Sequence, residues 1–148
     1  KYDSNGNWIE LLSYDSDGSL EWKNIFKYYS NGNEVERLSY NLDGFLKWKN
    51  VHRYDSNGNE VEQLSYDSDG SLEWKYIFEY DSDGNEIVRI KYVSDNDFWD
   101  ETLNKAEKII NKYSTNRLVE TIKYEYPFKF GELQETPTEK TTYEYEEY

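Results

Sequence analysis

The sequence has no cysteine, no methionine, two prolines and a single histidine, His52. Without cysteine there is no disulfide framework, thiolate metal site or thiol nucleophile, and the redox compartment is left undecided. One histidine offers no imidazole pair for a metal, and a Ser-His-Asp arrangement would have to be built around that residue alone. Positive charge is also scarce: 17 Lys and Arg stand against 31 Asp and Glu, a net charge of −14. That balance repels phosphate backbones, so nucleic acid and anionic membrane make poor partners. No apolar run approaches the roughly 20 residues of a membrane span, and no signal peptide opens the chain. The start at Lys1, in mid-repeat and without an initiator Met, leads us to expect a fragment of a longer or processed protein.

What is abundant is aromatic. Rings make up 18% of the 148 residues, half of an apolar content of 36%, and flat side chains suit the pleated surface of strands. Disordered chains of this charge are poor in such residues, so we expect a folded chain of one ordinary domain's size.

Seven of the eight glycines fall at 6, 18, 32, 44, 58, 70 and 84, with gaps alternating between 12 and 14, so the full repeat is 26 residues. A tyrosine stands four positions before each of them, and the next in the series, Tyr92, is followed four later by Asn96. Linking tetrapeptides such as Asp3-Ser4-Asn5-Gly6 and Asp15-Ser16-Asp17-Gly18 describe type I turns closed by a left-handed glycine bulge. Each repeat is therefore two strands and two turns. The fold class expected is mainly β: an antiparallel meander of tandem hairpins in a curved or single-layer sheet, with a C-terminal helix-plus-strand cap.

Both gaps are even, so every strand is expected to re-emerge from its turn with the same facing. One face then carries Leu20, Trp22, Asn24, Phe26 and Tyr28, Leu46 to Tyr54, and Leu72 to Tyr80 at alternate positions, with Leu12, Leu38, Leu64 and Ile90 beside them. The other carries Lys23, Lys27 and a thin aliphatic line from Ile9 and Ile25 to Ile77 and Ile87. In this register Tyr14 lies opposite Leu20, Leu12 opposite Trp22 and Ile9 opposite Ile25.

The hairpin region is expected over residues 1–96 and the cap over 97–148, packed on the same sheet. Asp95 or Asn96 can cap a helix over about 97–113, whose apolar residues Trp99, Leu103, Ala106, Ile110 and Tyr113 step by 4, 3, 4, 3. Arg117 to Tyr126 alternates like a strand, Pro127 and Pro137 bracket a loop, and Thr141 to Glu147 offers a last strand.

The period in the twenties, with Tyr-Asp-x-x-Gly at Tyr2, Tyr14, Tyr54, Tyr66 and Tyr80, resembles the YD-repeat (Rhs-type) proteins of bacteria over Tyr2 to about Tyr92. Those are large secreted or surface chains whose hairpins form β-sheet shells. The resemblance implies a secreted or cell-surface bacterial setting and no catalysis in the repeats. The Trp-Lys pairs at Trp22, Trp48 and Trp74 depart from that family's pattern.

Candidate sites are few. The Asp-x-Asp-Gly turns share the opening of a calcium loop but lack its further oxygen ligand and distal glutamate, so turn chemistry is the better account. His52 occupies the position of Phe26 and Phe78 and reads as a substituted core or rim residue. Glu10, Glu34, Glu36, Glu60 and Glu62, placed on the aromatic face, could pair as glycosidase carboxylates, but they recur with the repeat and read as a solvated rim. The feature with most promise is the ladder of Trp22, Trp48 and Trp74 with Tyr28, Tyr54 and Tyr80: either core or an exposed platform on which flat sugar faces or a protein could stack.

The reading is thus a non-catalytic structural or adhesive module, with a glycan- or protein-binding module using that ladder as the alternative. A small hydrolase stands third, and only a non-repeating cleft would revive it. No cofactor or metal is implied. Protein, glycan and self-association remain open as partners.

Overall fold

In the computed structural model the described residues are 1–94, 103–129 and 132–145. The chain divides into two compact units, Lys1–Glu73 and Trp74–Tyr148. Both are built from antiparallel strands ordered as they occur in sequence, ten in the main meander, and no helix occurs among the described residues.

The first unit contains β1 (Glu10–Tyr14), β2 (Leu20–Tyr28), β3 (Glu34–Asn41), β4 (Leu46–Tyr54), β5 (Glu60–Tyr66) and the start of β6 (Leu72–Tyr80). Before β1, a bridge between Tyr2 and Trp8 closes a further turn, with ring centroids 4.0 Å apart. The turns are as expected from their residues. All seven turn glycines have φ between 82° and 92°. In the first loop Gly6 N donates to Asp3 O, while the Asp3 carboxylate accepts from the backbone of Asn5 and Asn7 at 2.8 and 2.9 Å. The same pattern recurs at Asp15, Asp55 and Asp67. Each aspartate thus holds the loop backbone in the turned conformation that the glycine permits.

The expected facing of the short strands is overturned. Tyr14 is opposite Leu20, as read from the sequence, but the next pair is Ser13 with Trp22, so Glu21 is an extra residue. Lys47 is the extra residue in the next hairpin of this kind, and Val35 and Val61 fill that role where β2 meets β3 and β4 meets β5. A β-bulge of this sort shifts the ladder by one residue and turns the rest of the strand over. Leu12 therefore pairs with Lys23 and Glu10 with Ile25, while Ser13, not Leu12, lies beside Trp22. One face of this unit carries Trp22, Trp48, Asn24, Asn50, Ser39 and Ser65. The other joins Ile25 to Leu38 and Val51 to Leu64, flanked by the ion pairs Lys27–Glu36 and Arg53–Glu62. Leu64 is the one buried hydrophobic residue among the described residues, with Ser39 and Ser65 the buried polar ones.

The second unit continues β6 into β7 (Glu86–Ser94), β8 (Leu103–Ser114), β9 (Arg117–Glu125), the short pair β10 (Phe128–Lys129) and β11 (Glu132–Leu133), and β12 (Thr136–Thr142) against β9. The helix expected over 97–113 is replaced by strand from Leu103 onward; Trp99 and the rest of 97–102 lie outside the described residues. β8 is paired on both sides, Val88 to Ile110 with β7 and Ile110 to Ile122 with β9. A helix would have left the β7 backbone without that partner. The β8–β9 connection is a two-residue hairpin in which Thr115 and Asn116 both have positive φ, 49° and 60°, as a type I′ turn requires. Pro137 belongs to β12, at the edge of the order, where no ladder N–H is demanded of it.

Candidate functional site

The six ladder residues occupy equivalent positions on the long strands: Trp22 and Tyr28 on β2, Trp48 and Tyr54 on β4, and, in the second unit, Trp74 and Tyr80 on β6. All six are half-buried. Serine and asparagine are the cross-strand neighbours of the first two indoles, Ser13 and Asn41 for Trp22 and Ser39 for Trp48, so small side chains leave room beside each large ring. Tyr54 is held most closely: its hydroxyl donates to the Glu34 carbonyl at 3.0 Å and its ring meets Tyr29 edge-on at 6.3 Å. Burial, followed by the nearby Glu60 and Glu34 carboxylates, raises its pKa above the ordinary tyrosine value. Trp74 packs edge-on against Tyr76, which stacks on Phe78.

The repeat's aromatic and basic residues pair across strands in a regular way. Phe26 is opposite Arg37 and Phe78 opposite Arg89, with the guanidinium carbons 4.9 and 5.6 Å from the ring centres. In the middle repeat both members change together, to His52 and Gln63. Its Nδ1 contacts Glu60 and its Nε2 lies 3.7 Å from Glu34, whose carboxylate is already gripped by Arg37 through two bonds of 3.0 Å. A glutamate thus lies beside each ring nitrogen of His52, within hydrogen-bond distance at Nδ1 and at ion-pair distance at Nε2. Glu10, Glu36 and Glu62, expected on the aromatic face, lie on the opposite one in ion pairs with Lys23, Lys27 and Arg53. No group of three potential metal-ligating side chains occurs among the described residues.

Among the described residues the most exposed large apolar side chains are elsewhere, at the β3–β4 turn: Leu42 at 64% and Phe45 at 69%. Phe45 borders an open groove of about 530 Å³ with Asn41, Leu46, Lys47 and Ser68. The sequence carried a signal for this site that the repeat pattern obscured. Ser16 and Ser19 in one sister turn, and Ser68 and Ser71 in the other, stand where this turn has Leu42 and Phe45.

A family model described as a protein of unknown function (DUF2963) matches residues 46–92. No curated protein matches the chain. Among solved structures, a protein of unknown function from Bacteroides fragilis is similar with a TM-score of 0.62 at 14% identity, over 81% of this chain and 91% of that one. A DUF3836 family protein from Bacteroides vulgatus is similar with a TM-score of 0.48 at 16% identity, over 64% of this chain and 98% of the other. The first likeness extends to the fold; its β architecture is a known one. No helix among the described residues is long and apolar enough to cross a membrane.

Proposed function

We propose that this chain is a non-catalytic structural or adhesive repeat module of a secreted or cell-surface bacterial protein. The observation that carries the reading is the reproduction of one hairpin: the same glycine conformation at seven turns, the same aspartate-held loop at Asp3, Asp15, Asp55 and Asp67, and the same bulge. An active site is a single constellation, whereas here the turn, bulge and ladder residues return with the repeat. The resemblance to YD-type repeats supports the extracellular setting. If the repeats are interchangeable scaffold, excising residues 33–58, one full period, joins equivalent positions. The shortened protein should keep its β-sheet circular dichroism and a cooperative urea transition. An unfolded product would refute the modular reading.

A second reading, a glycan- or protein-binding module using Trp22, Trp48, Trp74, Tyr28, Tyr54 and Tyr80, is favoured by the half-exposure of those rings. Acrylamide quenching of single-tryptophan variants, alone and with oligosaccharides, tests it. Protection of the ladder on adding glycan supports a platform, and full protection in the isolated protein reduces the ladder to core.

A further inference from the structure

We infer that the β3–β4 turn is a protein-docking tip, whose partner presents an apolar cleft rimmed by lysine or arginine. The inference stands apart from the scaffold reading, because a scaffold has no need of it. Leu42 and Phe45 flank Asp43-Gly44 in a loop that is otherwise built like its sisters, with Gly44 N donating to Asn41 O at 3.1 Å and φ at 82°. Turn geometry therefore does not call for the apolar residues; serine serves it in the sister loops. Four positions differ from those loops together: Asp to Asn41, Ser to Leu42, Ser to Phe45 and Glu to Lys47. The tip has become apolar and has lost negative charge, while its neighbours have kept theirs.

The meander brings the β1–β2, β3–β4 and β5–β6 turns to one edge, about 10 Å apart at two strand spacings. Asp15, Asp17 and Glu21 stand on one side of the tip and Asp67, Asp69 and Glu73 on the other. Ser68, from the β5–β6 turn, lines the same groove as Phe45. An apolar centre within a charged border is the anatomy of a protein contact, in which the anchor supplies affinity and the rim selects the partner. The sign of this rim calls for a cationic counterpart. A second copy of this chain would bring the same carboxylates against it at a net charge of −14.

Fluorescence anisotropy with labelled synthetic peptides tests the idea. The probe is an alternating leucine–lysine peptide; a lysine-only peptide and a leucine–glutamate peptide are the comparisons. The wild-type chain should bind the leucine–lysine peptide at least tenfold more tightly than either. Leu42→Ser with Phe45→Ser, which gives the turn the serines its sisters fold with, should remove at least tenfold of that affinity and leave lysine-only binding unchanged. Asp17→Asn with Asp69→Asn should weaken binding and flatten its salt dependence. Equal binding by wild type and the double serine variant would overturn the proposal, as would equal binding of the leucine–glutamate peptide. A wild-type dimer in sedimentation that the serine variant abolishes would identify a second copy as the occupant and overturn it too.

Discussion

Asp81 illustrates how single residues set the turns. Its carboxylate accepts from the Asn85 side chain at 3.0 Å and from the Asn85 and Asp83 backbone at 2.9 Å each. These bonds, the Asn85 side-chain amide foremost, hold its pKa below the ordinary aspartate value. Asp3 is lowered in the same way, chiefly by the backbone N–H of Asn7. A carboxyl group whose folded pKa is depressed favours folding above its unfolded pKa, and that contribution fades as pH falls through the folded value. Carbon-detected NMR titration should therefore find Asp81 ionising at lower pH in the native chain than in urea, and Asn85→Ala should move the midpoint back up. Coincident native and unfolded midpoints would contradict the turn as described.

At the scale of elements, what was legible in the sequence was local. Glycine and aspartate fix the turns because their conformational and hydrogen-bonding demands are met within five residues. The facing of the short strands was hidden because counting by twos takes every residue as paired, whereas Glu21, Val35, Lys47 and Val61 are extra members of their ladders. β8 was misread for another reason: its helical spacing is real, but strands on either side supply its hydrogen bonds, and tertiary pairing overrides a short periodic pattern. The rings of Trp22, Tyr28, Trp48 and Tyr54 were legible as strand residues on one face of the first unit, while the exposed pair Leu42 and Phe45 was passed over because it was read as a turn like the others. The β8–β9 hairpin yields a prediction of its own. Thr115, β-branched, adopts a left-handed conformation that costs such residues on the order of 1–3 kcal/mol. Thr115→Asn with Asn116→Gly, the pair that type I′ turns prefer, should raise stability in urea by about 1 kcal/mol. An unchanged or lower midpoint would mean the turn is not under strain.

For the molecule as a whole, charge competes with itself. Acidic residues exceed basic ones by 31 − 17 = 14, so even complete pairing leaves carboxylates in excess. The favourable pairs are short: Lys123–Glu107 and Lys140–Glu120 at 2.6 Å, Lys23–Glu10 at 3.3 Å. The repulsions between the acidic β1–β2 and β5–β6 turns, on either side of the β3–β4 turn, act over about 20 Å, where two unit charges in water still interact by roughly 0.2 kcal/mol. Added salt does not weaken these two terms equally. Raising ionic strength from 0.01 M to 1 M shortens the screening length from about 30 Å to about 3 Å, which removes the long-range repulsion and leaves much of each contact pair. Exposed pairs contribute only about 0–1 kcal/mol each in any case. The unfolded chain is relieved less, because its charges are spread over a larger volume. The urea midpoint at pH 7 should therefore rise with sodium chloride across that range. A midpoint that falls instead would show that the ion pairs on the aliphatic face, and not the repulsion among the acidic turns, dominate the electrostatics of this fold.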